Sequence, residues 1–155
     1  MTLAFDTDVF VYAADAGAGT RHTMASELME RAVRSCGAVL ILQTLAEFYS
    51  VVTRRSLADP GEARLFLDVL RRVLPVHAIV EQDLDRAIQA VTHHGLSFWD
   101  ALLWATADRA GVHYLLSEDF QDRRRLGGVT FVNPFDEANR RLIERALPPR
   151  LVPPT

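Results

Sequence analysis

Short apolar runs alternate with helical stretches along this chain, and no hairpin dipeptide such as Asn-Gly separates paired strands. Antiparallel neighbours need only a two-residue turn, whereas parallel strands need a crossover of a dozen or more residues. The alternation therefore predicts an α/β fold, a three-layer α/β/α domain whose central sheet is mostly parallel and covered on both faces. Strands are expected at 2–5, 38–42, 76–80, 113–117 and 129–132, and helices at 22–35, 44–56, 60–73, 82–94, 98–110 and 136–146. Asp59-Pro60-Gly61-Glu62 carries an N-cap, a proline at the first helical position and an acid three residues after the cap. Gly111 fits a helix C-terminus, and Gly127-Gly128 a turn into the last strand. Residues 1–147 read as one domain, and 148–155 as a proline-rich tail.

In such a sheet, ligands bind at the carboxyl edge of the strands. Asp6 follows Leu3-Ala4-Phe5, Glu47 comes shortly after Val39-Leu40-Ile41-Leu42, Asp100 opens a helix-like stretch, and Asp119 follows Leu115-Leu116-Ser117-Glu118. All four acids fall at that edge. Gathered carboxylates repel one another, so they take up protons or a cation. A hard, oxygen-seeking ion such as Mg²⁺ or Mn²⁺ suits this donor set.

Each acid also has a structural reading. Thr44-Leu45-Ala46-Glu47 and Ser97-Phe98-Trp99-Asp100 both fit capping boxes. Capping does not account for Asp6 or Asp119, for which the alternative is a turn acid bonded to its own backbone. Asp8, two residues after Asp6, adds a carboxylate, while Glu118 and Asp122 flank Asp119 in a loop where exposure is the default. Asp136 reads as the N-cap of the last helix. The spacing Asp6-Thr7-Asp8 also occurs in phosphatases with an aspartyl nucleophile. That chemistry relies on a lysine late in the fold, and all 17 basic residues here are arginine.

Composition bounds the rest. With 155 residues, 49% of them hydrophobic, the chain buries a full core without staples. Its lone cysteine, Cys36, rules out an internal disulfide, fits a reducing cytosol, and is expected to pack as a small apolar residue. No run approaches the roughly 18 apolar residues of a membrane span. A net charge of −3 is weakly unfavourable for a polyanionic partner. Arg54-Arg55, Arg71-Arg72 and Arg123-Arg124-Arg125 are candidate phosphate contacts, against the default of solvated charges at helix ends and in loops. Trp99, Phe98 and Tyr49 are candidates for stacking on bases or for packing.

Taken in order, Phe5-Asp6-Thr7-Asp8, Ala46-Glu47-Phe48-Tyr49, Ser97-Phe98-Trp99-Asp100-Ala101-Leu102, Leu116-Ser117-Glu118-Asp119-Phe120-Gln121-Asp122 and Val132-Asn133-Pro134-Phe135 make the chain similar to a known family. It resembles the PIN domain, and within it the VapC-type toxins of toxin–antitoxin pairs. The resemblance implies that Asp6, Glu47, Asp100 and Asp119 hold Mg²⁺ or Mn²⁺ and that the activity is endonucleolytic cleavage of RNA. It further implies a homodimer in the cytoplasm, silenced by a VapB-like antitoxin; Phe48, Phe66 and Trp104 are candidates for subunit contacts or for the core. Alternatives on the same scaffold are an inert RNA- or protein-binding module and a metal-dependent DNA nuclease or phosphatase. The chain departs from the family pattern in two places. Asp8 stands where Asn or another small polar residue is usual, and Arg123-Arg124-Arg125 stands near a customary glycine.

Overall fold

The computed structural model describes residues 1–149. The expected tail thus lies mostly outside the described residues. Six strands and seven α-helices follow in the order β1 (Leu3–Phe5), α1 (Thr7–Ala14), α2 (Thr20–Ser35), β2 (Leu40–Ile41), α3 (Leu42–Arg54), α4 (Pro60–Val73), β3 (Val76–His77), α5 (Glu81–His94), α6 (Phe98–Arg109), β4 (Tyr114–Leu116), β5 (Arg125–Leu126), β6 (Val129–Val132) and α7 (Arg140–Ala146). The main sheet has the order β1-β4-β6-β5, and β2 pairs with β3 beside it. A parallel bridge between Leu3 and Ala38 joins the two sheets. All strand pairs are parallel except β5–β6.

The layers follow from the two-residue period of the strands. Leu3, Phe5, Leu116 and Val132 face a core closed by α1, α2, α3, α4 and α7. Their neighbours Ala4, Leu115 and Phe131 face a second core under α5 and α6. Aromatic rings fill the first core, Phe5 edge-on to Phe10 with centroids 5.8 Å apart and Phe48 tilted against Phe66 at 4.8 Å. In the second, Phe120 stacks on Phe131 at 4.1 Å.

Several expectations change. The segment after β1 forms α1, although no helix was expected there; Val9, Phe10 and Val11 are buried by it, so packing overrides their modest helix propensity. The strand expected at 76–80 stops at His77. The Ala78 carbonyl accepts from Arg109 Nη2 at 2.6 Å and the Val80 N–H donates to Asp83 Oδ2 at 3.0 Å, so side chains take the bonds a ladder would use. Helix α3 begins at Leu42, two residues before the expected start, which shortens β2. A hairpin does exist: β5 and β6 pair Leu126 with Val129 across Gly127-Gly128, where Gly127 has φ +57. A Cβ at Gly127 would sit 2.9 Å from Asp108 Oδ1, whose carboxylate accepts from the Gly128 N–H at 2.8 Å. Asp136 caps a short 3₁₀ turn, Glu137–Asn139, and α7 starts only after it.

Cys36 does not pack inside; it is exposed and ends α2 with φ +51. Phe48 is wholly buried and Trp104 is 6% exposed, its Nε1 donating to the Leu126 carbonyl at 3.0 Å. Both are core residues rather than subunit contacts. Phe66 is partly buried against the same cluster.

Candidate metal centre

The end of β1 sets the site. Asp6 is the N-cap of α1: its Oδ1 accepts from the Thr7 N–H at 2.7 Å. Capping therefore applies to Asp6 after all, but it uses one oxygen. The other, Oδ2, accepts from the Ser117 hydroxyl at 2.7 Å, and Ser117 Oγ in turn accepts from the Asp119 N–H at 3.1 Å. Parallel pairing of β1 with β4 places Phe5 opposite Leu116, which brings these two strand ends together.

Asp8, one residue into α1, joins them. Asp6, Asp8 and Asp119 each offer a carboxylate oxygen, and these oxygens lie within 4.8 Å of one another. Burial pushes the Asp6 carboxyl up to about 6, against the opposing Ser117 and Thr7 hydrogen bonds, with the charges of Asp119 and Asp100 adding to the rise. Asp8 is driven up to about 8, first by burial, then by a hydrogen bond shared with Asp119 and by the charges of Asp119, Asp6 and Glu118. Asp100 is raised as well, by burial first and by the charges of Asp119 and Glu47, against an opposing hydrogen bond with Ser97.

Glu47 does not act as a capping acid, because Ile41 rather than Thr44 is the N-cap of α3. Its Oε2 accepts from the Thr7 hydroxyl at 2.8 Å and its Oε1 from Gln43 Nε2 at 2.9 Å. Gln43 also donates to the Trp99 carbonyl at 3.1 Å, tying α3 to the first turn of α6 beside Asp100. Ser97 does cap α6, accepting from the Asp100 N–H at 3.3 Å. The Asp100 carboxylate remains among the acids whose charges raise one another.

Two flanking acids have other work. Asp122 accepts from the Asn133 N–H at 2.7 Å and from Asn139 Nδ2 at 2.9 Å, so it secures the loop against the segment before α7 and stays out of the cluster. Glu118 is not simply solvated, since it bonds Tyr12 and Arg21. In the Arg123-Arg124-Arg125 stretch, Arg123 adopts φ +63, the conformation that glycine takes without strain. Its guanidinium bonds Asn139 and its N–H donates to the Phe131 carbonyl at 2.8 Å, which hold it there.

Most candidate arginines are occupied elsewhere. Arg71 pairs with Asp68, and Arg124 and Arg125 donate to the carbonyls of His94 and Gly127. Among the aromatic candidates Trp99 is 62% exposed, Tyr49 is exposed and Phe98 lies edge-on to Trp99 at 5.2 Å. Sequence reasoning missed Gln43 and Tyr12, although each stands four residues from an acid of the cluster, on one helix face with Glu47 and Asp8 respectively.

The donors are carboxylate oxygens without histidine or thiolate, a set that fits Mg²⁺ or Mn²⁺ and is repulsive without a cation. No helix among the described residues is long and apolar enough to cross a membrane.

Comparison with known proteins supports this frame. The fold is similar to a sarcin-ricin loop cleaving toxin, VapC20 of Mycobacterium tuberculosis, at TM-score 0.58 and 20% identity over 76% of this chain and 89% of that one. It is similar to a chain of a toxin–antitoxin complex from Klebsiella pneumoniae at TM-score 0.61 and 20% identity, covering 86% of this chain and 98% of that one. A chain of VapBC2 from Rickettsia felis, bound to a DNA fragment from its promoter, matches at TM-score 0.59 and 14% identity over 86% and 98% of the two chains. No curated protein matches. The family model of the PIN domain matches residues 3–127, and with most of its length covered the chain belongs to the PIN domain family.

Proposed function

We propose that this protein is a Mg²⁺- or Mn²⁺-dependent endoribonuclease, the toxin of a VapBC-like toxin–antitoxin pair. The observation that carries the reading is the convergence of Asp6, Asp8 and Asp119 within 4.8 Å; Asp100 and Glu47 lie outside that group, near enough for the charge of Asp100 to raise Asp6 and that of Glu47 to raise Asp100. When bound there, a divalent cation supplies a water of lowered pKa and neutralises charge on a phosphodiester. Asp6, Asp100 and Asp119 hold the ion, and Asp8 adds a carboxylate to them.

The surrounding hydroxyls and amide keep these groups aimed. Ser117 ties Asp6 Oδ2 to the Asp119 backbone, which links the ends of β1 and β4. Glu47 is held from both sides by Thr7 and Gln43, and each of its oxygens retains a second lone pair. Glu47 either ligates the ion or orients the attacking water and accepts its proton.

A VapB-like antitoxin and a second copy of the chain are the expected partners, in the cytoplasm. Leu65, Val69 and Val73 on α4 and Leu84, Ile88 and Val91 on α5 are exposed, which supplies apolar surface for such contacts. The test is incubation of purified protein with tRNA, rRNA and single-stranded DNA in Mg²⁺, Mn²⁺ or chelator. Internal cleavage of an RNA, dependent on metal and absent for DNA, is the expected result. Cleavage of DNA alone would replace the substrate, and cleavage undiminished by chelator would remove the metal from the account.

A further inference from the structure

A cation is built into the rim of the acid cluster. Arg21, in the first turn of α2, donates from Nε to Glu118 Oε2 at 3.0 Å. Glu118 directly precedes Asp119, and its charge reaches Asp8. Its other oxygen accepts from the Tyr12 hydroxyl, a bond that pushes the phenol up to about 12. The Arg21 guanidinium carbon lies 5.8 Å from the Tyr12 ring centroid and 5.4 Å from that of Phe135. Those two rings meet edge to face at 5.3 Å. One carboxylate and two aromatic rings thus fix the guanidinium in place.

This arrangement leaves most of the fork open. A guanidinium has five N–H donors. Arg21 uses Nε in its hydrogen bond to Glu118, Nη1 and Nη2 reach no carboxylate or carbonyl among the described residues, and the side chain is 51% exposed. Helix α2 has no side-chain cap and no acid in its first turn, so its free N–H groups add positive potential on the same turn. Among the described residues, no other salt bridge involves an acid of the strand-end loops that form the site. A polyanion approaching this cluster meets repulsion from the carboxylates, and Arg21 is a preplaced donor beside them.

We propose that Arg21 binds a backbone phosphate of the nucleic-acid strand and holds that strand across the acid cluster. The inference rests on the nuclease reading above. It assigns the role to a residue outside the arginine pairs and triplet that stand out in the sequence.

The test uses full-length protein carrying Asp100→Asn, which blocks turnover, and a fluorescein-labelled single-stranded RNA in Mg²⁺. Fluorescence anisotropy is read at several salt concentrations. Adding Arg21→Gln is expected to weaken binding roughly tenfold, as for loss of a charge-assisted hydrogen bond. The slope of log affinity against log salt should fall by about 0.7, the value for one phosphate contact on a single strand. Arg21→Met, which keeps the aliphatic stem over the two rings, should behave alike and separates lost charge from lost packing.

A second arm places both changes on a Glu118→Gln background. If Arg21 serves only to neutralise Glu118, it becomes dispensable there, and equal binding with and without Arg21 would overturn the proposal. Equal affinity and equal salt slope for the Arg21 variants on the first background would also overturn it while leaving the nuclease reading intact. Failure of the folded Asp100→Asn protein to bind any RNA would instead overturn the nuclease reading, and this assignment with it.

Discussion

Replacing Asp6 by Asn should stabilise the metal-free protein at pH 8, an advantage that metal binding by the parent cancels. Asp6 is 7% exposed and its carboxyl is raised from the ordinary 3.8 to about 6, mainly by burial. That difference corresponds to about 3 kcal/mol held against the ionised side chain in the folded state. The folded protein keeps its proton longer than the unfolded chain does. The contribution to stability is therefore fully present below pH 3.8 and is lost as pH rises through about 6. An amide avoids that loss: Asn caps helices as well as Asp, and the Ser117 hydroxyl can turn to accept from its Nδ2. The gain from Asp6→Asn is thus near zero at pH 4, grows between pH 4 and 6, and levels off at up to about 3 kcal/mol. In melting temperature this is roughly 6 to 12 °C for a chain of this size. Mn²⁺ at a hundred times the parent's dissociation constant adds about 2.7 kcal/mol to the parent. The variant, short of one anionic ligand, gains less, and the gap closes. Differential scanning fluorimetry at pH 4, 6 and 8, in chelator and in Mn²⁺, measures all of this. A variant that melts below the parent in chelator at pH 8, or a gap that ignores pH, would refute the reasoning.

The site and its surroundings give further outcomes, and the expected dimer gives one more. Asp119→Asn should nearly abolish RNA cleavage while circular dichroism stays unchanged, and Glu47→Gln should be severe as well, both read by gel assay of one labelled RNA. Asp122→Ala should cost about 1 to 3 kcal/mol in urea unfolding, because it strands the Asn133 N–H and Asn139, yet leave Mn²⁺ affinity unchanged. Asp83→Ala should cost about 1 to 3 kcal/mol, since it leaves the Val80 N–H without its acceptor while Arg109 keeps access to water. Burial opposes the ionised form of Asp83, but the Arg109 and Val80 hydrogen bonds outweigh it and hold the carboxyl below its usual range. The stability it confers is accordingly present above pH 3.8 and lost as pH falls through the depressed value, which acid titration of the parent against Asp83→Ala checks. Light scattering across micromolar concentrations should give a dimer; a monomer throughout would remove the second copy from the account.

The parts of the fold that sequence reveals are those where local chemistry and tertiary demand agree. Asp59 caps α4 by accepting from the Gly61 and Glu62 N–H groups, and Gly95 takes φ +67 after α5, both as the residue types imply. Helix α1 was hidden because Val9-Phe10-Val11-Tyr12 has the composition of a strand, and only burial against α2 and α3 makes it helical. The β5–β6 hairpin was hidden because β5 has two residues, too few for an alternating pattern. Asp6, Glu47, Asp100 and Asp119 were visible as acids at strand and helix boundaries. The place of Asp8 was open, since the turn after Asp6 decides whether its carboxylate faces inward or out. Arg21 gave no signal, for its partner lies 97 residues away.

The central claim is that these carboxylates perform metal-dependent RNA cleavage, and a side-by-side digest of one RNA by the parent and by Asp100→Asn, each with Mg²⁺ or Mn²⁺ and each shown folded, tests it most directly. The account predicts internal cuts by the parent and almost none by the variant. Equal cleavage by the two proteins would contradict it and move the activity to other residues.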